Sequence, residues 1–209
     1  MDVSAMIAEI QEHGFEDMSS ARIVAAINDA YHDVSSRIDW PWMRTVYTDY
    51  SVSGNTNLTL SGSWKKIHKM ICLTTKTIIP YREYYELIDE NGVINSASIT
   101  NGEPTNYYIW DDTIKFWPPP DAVRQYSVWA TIDTTDLTSS SVTADIAIPA
   151  KHHRVLVLGA LKNLYPLNDD LGAAQYFEQQ FEKRIQWMIE EAFDKQGETE
   201  KFIVDSYDY

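Results

Sequence analysis

The chain has 209 residues, of which 44% are hydrophobic and 23% charged, a composition typical of a globular protein that buries a real core. Its formal net charge of −14 argues against a surface that binds nucleic acid by neutralising phosphates, because such a surface needs clustered Lys and Arg. The same charge does not exclude a protein that DNA slides past, since a negative surface repels phosphate. Cys72 is the single cysteine, which excludes an intrachain disulfide and a cysteine-based zinc site within one chain.

The amino-terminal residues contain no basic segment followed by an apolar run, so no signal peptide is predicted. No window approaches the roughly 18 consecutive apolar residues of a membrane-spanning helix. We therefore expect a protein that is made and used in the cytosol, without contact with a membrane.

The first 42 residues predict two amphipathic helices. Val3, Met6, Ile7 and Ile10 fit the first, which Gly14 is placed to end. Ser19 or Ser20 is placed to cap the second. The apolar stripe of the second helix consists of Ile23, Ile27, Ala30, Tyr31, Val34 and Ile38. Its other face is polar and consists of Asn28, Asp29, His32, Asp33, Ser36 and Arg37.

A Trp-Pro-Trp sequence at residues 40–42 ends the second helix. Two tryptophans that flank a proline are typical of a rigid corner in which aromatic rings anchor one layer to another. An aromatic binding platform is the alternative interpretation.

Residues 44–148 are rich in Thr, Val, Ile, Tyr and Trp, with turn residues at short intervals, and predict antiparallel strands. The expected strands cover residues 46–52, 58–60, 67–73, 77–80, 104–110, 113–117 and 125–132. A short helix is expected over residues 81–91. Asp111-Asp112 predicts a tight hairpin turn, and the Ser- and Thr-rich residues 134–145 predict an exposed loop.

Residues 149–192 predict a helical hairpin at the centre of the fold. Pro149 suits the first position of a helix, and Pro166 ends that helix. Residues 155–161 are apolar on nearly all sides, so this helix should be covered on more than one face. Gly159 lies in its middle and permits a neighbouring element to come close. The apolar stripe of the following helix consists of Ala174, Phe177, Phe181, Ile185, Met188 and Ala192.

The predicted fold class is α+β, with a four-helix layer of two N-terminal and two C-terminal helices, an inserted antiparallel β-rich region and an extended C-terminal tail. Residues 1–42 and 149–195 are assigned to a helical core. Residues 43–148 are assigned to the inserted β-rich subdomain, and residues 196–209 to the tail. The tail is either a loose acidic terminus or a strand that pairs with an edge on another subunit.

The sequence contains no pattern that predicts an enzyme. His152 and His153 are adjacent, so on a helix they point about 100° apart and do not form the i, i+4 pair that binds zinc. We expect both on the surface of a first helical turn. The carboxylates at residues 169–170 and 190–191 are interpreted as solvated charge and helix-dipole partners, and Cys72 as inert packing. No catalytic residue, cofactor or metal ligand is predicted.

Several short segments follow one another in an informative order. They are Ile-Asn-Asp-Ala-Tyr at residues 27–31 with Trp40, Gly-Glu-Pro-Thr-Asn-Tyr-Tyr at 102–108, Ile-Lys-Phe-Trp-Pro-Pro-Pro-Asp at 114–121, Ile-Pro-Ala-Lys-His-His at 148–153, Leu-Tyr at 164–165 and Ala-Gln-Tyr-Phe at 174–177. In this order, over most of residues 15–192, the chain resembles the head-to-tail adaptor (connector) proteins of short-tailed bacteriophages, the portal adaptor family that is similar to tubular tail protein A. Residues 61–64 lack a proline that this family leads us to expect before the third strand.

The resemblance implies a non-enzymatic structural protein in the neck of a virion. It implies a ring of about a dozen copies between the portal protein and the tail nozzle or tail-hub proteins. Such a ring extends the channel through which double-stranded DNA passes without specific binding. The helical layer is expected near the ring body and the portal, and the β-rich insertion near a neighbouring copy or the tail.

Two segments are predicted to dock partners. The first is the stiff segment formed by Trp117, Pro118, Pro119 and Pro120. The second is the aromatic part of the tail, formed by Phe202, Ile203, Val204, Tyr207 and Tyr209. A β-rich module that stacks a carbohydrate or a peptide on Trp110, Trp117 and Trp129 is the alternative function, and a hydrolase or other enzyme is a third.

Overall fold

The structure is a computed structural model, and it describes residues 1–91 and 100–194. Contacts within the chain divide it into two compact units. We call residues 1–42 with 134–194 the helical unit and Met43–Asp133 the β unit. The predicted α+β class and the packing of N-terminal on C-terminal helices are confirmed. The domain boundaries stay a prediction, since compactness does not show that either unit folds alone.

The described residues contain five α-helices. They are α1 (Val3–Ile10), α2 (Ser20–Arg37), α3 (Tyr84–Asn91), α4 (Arg154–Leu164) and α5 (Leu171–Asp194). Four of them, α1, α2, α4 and α5, form the helical unit, as the four-helix layer predicts. The predicted tail lies outside the described residues.

Helix α4 is the centre of the helical unit and packs against α1, α2 and α5. Seven of its eleven residues are buried, which explains why a helix with so little polar surface is stable here. At Gly159, α4 comes very close to both α2 and α5. A Cβ atom at this position would lie 2.6 Å from the Cβ of Ala30 on α2 and 2.8 Å from the Phe181 ring on α5. Side chains of α2 and α5 therefore fill the space that a larger residue at position 159 would need.

The helix ends differ from the sequence prediction in detail. Pro149 precedes a 3-10 turn over Ala150–His152, and α4 begins after it at Arg154. The side chain of Ser19 makes no capping hydrogen bond at the start of α2. At the start of α5 the backbone N–H of Ala173 donates to Asp170 Oδ1 over 2.9 Å, so this carboxylate caps the positive end of the helix dipole.

A four-residue charge network joins three helices on one side of the helical unit. Arg37 of α2 donates from its guanidinium to both carboxylate oxygens of Asp33 and to both of Glu182 on α5, over 2.7–3.1 Å. Lys162 Nζ of α4 donates to Asp33 Oδ2 over 3.2 Å. The bonds from Arg37 are the main reason that the pKa of Asp33 lies below its ordinary value, and Lys162 adds to this effect.

The β unit contains two antiparallel sheets, in agreement with the predicted antiparallel β-rich region. The strands are β1 (Arg44–Tyr50), β2 (Asn57–Leu58), β3 (Trp64–Cys72), β4 (Thr77–Ile78), β5 (Asn106–Trp110), β6 (Thr113–Trp117) and β7 (Gln125–Ile132). One sheet has the order β1-β7-β3-β4 and the other β2-β6-β5. Strand β7 pairs with β1 and β3, which lie far away in sequence, while β5 and β6 pair with each other.

Both sheets contribute to one hydrophobic core. Its buried residues are Leu58, Met70, Cys72, Ile79, Tyr107, Ile114, Phe116, Tyr126 and Val128. The thiol of Cys72 is buried there, in agreement with its predicted role as packing. The β5–β6 hairpin turns at Asp111 and Asp112, whose φ angles of 53° and 51° are those of the predicted tight turn.

We expect Gly159→Ala to lower the free energy of unfolding by about 1–3 kcal/mol, because its Cβ would overlap the Cβ of Ala30. Urea unfolding followed by circular dichroism measures the change. Gly172→Ala at the start of α5 is the matched control, since its Cβ would meet only Asp170 Oδ1 at 3.6 Å. Adding Ala30→Gly should recover part of the loss. Equal stability of the two Gly→Ala variants would contradict the close approach.

We expect Asp33→Asn to lower the free energy of unfolding by about 1 kcal/mol near neutral pH, where the carboxylate binds Arg37 and Lys162. The pKa of Asp33 is lower in the folded chain, so this contribution is present above its ordinary pKa of 3.8. It should be lost as pH falls below that value, and the two proteins should converge. Urea titrations from neutral to acid pH test this, with the exposed Asp29→Asn as control.

Candidate interaction surfaces

A chain of stacked rings fills the corner between α2 and α4. Trp40 is fully buried, and its indole Nε1 donates to the carbonyl oxygen of Val34 over 2.6 Å. Its ring stacks on Trp42 with centroids 4.6 Å apart. Trp42 in turn stacks on His152 at 5.7 Å. This burial favours the interpretation of residues 40–42 as a structural corner over a binding platform.

The prediction that His152 and His153 lie on the surface is wrong, because both side chains are 1% exposed. The 3-10 turn before α4 directs His152 between Trp42 and Trp187 and places its Nε2 3.4 Å from Glu191 Oε2. His153 Nε2 lies 2.7 Å from the carbonyl oxygen of Ile148. Both ring nitrogens of His153 and the Nε2 of His152 therefore have polar neighbours, which makes the burial of the two rings tolerable.

Glu191 differs from its prediction in the same way. Its side chain lies beside His152 and pairs with Lys151, so it is part of a buried contact and not solvated charge. Its partners lie forty residues away in sequence, and no local pattern could have identified them.

Two residues of the 27–31 segment hold residues 134–148 against α2. The Asn28 amide donates to the carbonyl oxygen of Leu137 over 3.0 Å and accepts from the Leu137 N–H over 2.8 Å. The hydroxyl of Tyr31 accepts from the N–H of Ala147 over 2.9 Å. The predicted exposed loop is therefore anchored, and Leu137 is buried. The polar face of α2 contains contacts that its residue types alone did not reveal.

The Trp117–Pro120 segment is only partly available to a partner. Pro119 and Pro120 are buried, and their carbonyl oxygens accept from the N–H groups of Gly102 and Gly54 over 2.8 and 2.7 Å. Trp117 and Pro118 are half-buried. The segment's predicted docking role stays a prediction, and the accessible area for it lies on Trp117 and Pro118.

The three tryptophans of the alternative stacking site do not meet. Trp110 pairs with Thr113, and Trp117 pairs with Asn106, so the two rings lie on one face but at opposite ends of the β5–β6 ladder. Four residues of strand separate these ends, a distance of about 13 Å. Trp129 lies in the other sheet. A single sugar-stacking platform of all three is not formed.

An exposed aromatic cluster lies where α3 packs on β5. The Tyr84 ring centroid lies 4.4 Å from that of Trp110 and 5.4 Å from that of Tyr108. Tyr85 extends the cluster, 5.7 Å from Tyr84, and is 68% exposed. Trp110 is 44% exposed. Aromatic rings that combine apolar area with a polar edge are enriched in protein interfaces.

The edge of the four-stranded sheet is a second candidate surface. Strand β1 pairs with β7 on one side, and within the described residues no strand pairs with its other side. Val46 and Tyr50 are exposed on it. An unprotected edge strand of seven residues invites pairing with another chain.

Charge is distributed unevenly along the chain. Met43–Asp133 contains eight Lys and Arg and ten Asp and Glu, a net charge of −2, which leaves −12 for the other residues. Repulsion of anions therefore comes mainly from the helical part and the C-terminal segment, while the nearly neutral β unit has the aromatic surface.

Burial is the main perturbation of Tyr107 and Tyr126, two core tyrosines of the β unit. Desolvation is the main cause that raises the pKa of Tyr107 to about 12, and it also raises the pKa of Tyr126. Raised pKa values with this cause are typical of packed core tyrosines.

No three His, Cys, Asp or Glu residues within 1–91 and 100–194 are grouped as metal ligands.

The model of the SU10 adaptor protein family matches residues 1–200. The chain belongs to the SU10 adaptor protein family. This is a phage head-to-tail adaptor family, which confirms the resemblance inferred from the sequence. Members are structural adaptor proteins that interact with other virion proteins. No curated protein matches the chain.

The docking residues predicted in the tail lie outside the residues that the structure describes. They are Phe202, Ile203, Val204, Tyr207 and Tyr209. Among the residues that are described, no helix is both long and apolar enough to cross a membrane.

We expect Asn28→Ala to lower the free energy of unfolding by about 1–3 kcal/mol, because it leaves the N–H and C=O of Leu137 without their partner. Ser36→Ala on the same helix is the control, since its exposed hydroxyl bonds only to Asp33 O within its own turn. Urea unfolding and protease cleavage within residues 134–142 report the change. Similar behaviour of both variants would contradict the anchoring role of Asn28.

Proposed function

We propose that this SU10 adaptor forms an oligomeric ring between the portal and the tail, where it extends the DNA channel of the virion. The observation that supports this most is the family match over residues 1–200. A ring of about a dozen copies, built from one repeated head-to-tail contact, is the closed arrangement that we expect. The portal protein would bind one side of the ring and the tail nozzle or tail-hub proteins the other.

The exposed surfaces of the β unit supply area for contacts between copies. Tyr85 and Trp110 are large, amphipathic and accessible, and β1 presents an edge with Val46 and Tyr50 exposed. Because these two features lie on different parts of one unit, they are suited to a heterologous contact, in which one patch meets a different patch of the next copy. Trp117, Pro118 and the aromatic residues of the C-terminal tail are proposed to dock the portal or tail proteins.

The acidic charge supports a channel through which DNA moves without binding. A net charge of −14 repels phosphate, and it would be repeated in every copy of a ring. Strong DNA binding would release counterions and hold the duplex in place, which would oppose ejection.

Co-assembly with the purified portal protein tests this function. Light scattering after size-exclusion chromatography should show a ring-sized complex in which several adaptor chains bind one portal. Tyr85→Ser with Trp110→Ser should weaken assembly by about tenfold or more, because interface aromatics contribute much of the binding energy. The free energy of unfolding is measured in parallel, because Trp110 also packs against Tyr84, and a loss of assembly supports the contact only if the variant stays folded.

Leu171→Ser is the matched control, because Leu171 is also exposed but lies at the start of α5 in the helical unit. It should assemble as the unchanged protein does. A folded protein that stays monomeric with the portal, and that tail proteins also fail to recruit, would overturn the proposed function.

A further inference from the structure

A groove of about 670 Å³ runs along the helical unit between α4 and α5 and reaches α1. Its apolar part comes from α4 and α5 and consists of Val157, Leu158, Leu161, Tyr176, Phe177 and Trp187. Tyr176 is 56% exposed and Trp187 is 43% exposed. The α5 residues that line the groove recur every three to four positions along the helix, at 176–177, 180, 183–184 and 187, so the groove follows the axis of this helix.

Cations surround this groove in a unit that is otherwise acidic. Residues 1–42 and 134–194 contain seven Lys and Arg against seventeen Asp and Glu. Three of the seven cations, Arg154, Lys183 and Arg184, line the groove, with Glu9 as the one carboxylate among its lining residues. The groove therefore has the opposite charge to the unit around it.

Two of the groove cations, Arg154 and Lys183, are exposed, whereas Arg184 is half-buried and donates to the carbonyl oxygen of Lys151 over 2.9 Å. Arg37 and Lys162 bind the carboxylates of the charge network. In contrast, the side chain of Arg154 is 69% exposed, and its Nε lies 3.6 Å from Glu9. The guanidinium of Arg184 lies 4.2 Å above the Trp187 ring. A groove with an apolar lining and two exposed cations, Arg154 and Lys183, is suited to an acidic peptide that also contains aromatic residues.

We propose that residues 198–209 of the same chain bind in this groove. Glu198, Glu200, Asp205 and Asp208 give the segment four carboxylates against one lysine, Lys201. Its apolar residues are Phe202, Ile203, Val204, Tyr207 and Tyr209. The segment thus complements the groove, with carboxylates for its cations and apolar and aromatic side chains for its apolar lining.

The length of the chain permits this contact. Trp187 lies seven residues before the end of α5 at Asp194, a distance of about 10 Å along the helix. Tyr176, at the far end of the groove, is about 27 Å from Asp194. The fifteen residues after Asp194 span up to about 50 Å when extended, enough to turn near Gly197 and run back along the groove.

Tethering favours binding within one chain. A short linker gives an effective concentration in the millimolar range, so even a weak peptide–groove affinity fills the site. In the free protein the aromatic residues of the segment would then be covered, and a partner that needs them would have to displace them from the groove. This proposal concerns the single chain and does not depend on ring formation.

Cysteine cross-linking in the full-length protein tests the contact. Gln180 lines the groove, so Gln180→Cys with Val204→Cys should form an intrachain disulfide in dilute protein under mild oxidation. Glu178→Cys with Val204→Cys is the control, because Glu178 is exposed on the same helix but does not line the groove. Cys72 is buried and should not compete.

We expect the Gln180 pair to cross-link on the order of tenfold faster than the control pair. Lys183→Glu should slow the reaction, and Asp205→Lys in the same protein should restore it by reversing both charges. Equal rates for the two cysteine pairs, or no disulfide in either, would overturn the proposal. Disulfides formed only between chains, at a rate that rises with protein concentration, would also overturn it and would assign the groove to another copy.

Discussion

The burial of α4 is the constraint on which the helical unit depends. A helix that is apolar on nearly all sides must be covered on several faces, and α1, α2 and α5 supply this cover. At Gly159 the cover is so close that a methyl group would overlap both Ala30 and Phe181. Packing on α4 therefore brings the two N-terminal helices, α1 and α2, together with α5. Residues 43–133 are left to form a second unit with a core of its own.

The sequence was sufficient where the deciding interactions are local. The stripes of α2 and α5 follow the helical period, so Ile23, Ile27, Phe181 and Ile185 are all buried as predicted. The β5–β6 hairpin was also predictable, because a turn of two Asp residues between two alternating runs specifies both partners.

The sequence was insufficient where partners come from distant segments. Strand alternation shows which residues share a face but not which strands are neighbours, so the division of the seven strands into two sheets could not be predicted. His152 and His153 were placed on the surface because of their polarity, while Trp42, Ile148 and Glu191 permit their burial. The groove was missed for the same reason, since Arg154 and Lys183 meet only after α4 and α5 pack.

The two units have different surfaces, and the function that we propose makes use of this difference. The acidic charge is concentrated outside the β unit, whereas the β unit is nearly neutral and exposes Tyr85 and Trp110. Such a chain can bind copies of itself through apolar contacts while it repels DNA. The function that we propose requires both properties, and the family match is its main support.

Cryo-electron microscopy of the virion neck is the most direct measurement of the central claim. The account predicts a closed ring of this chain between the portal and the tail. Copies should meet through surfaces of the β unit, and acidic residues should line the DNA channel. Density for the chain at another position in the virion, or a neck channel lined by Lys and Arg of this chain, would contradict it.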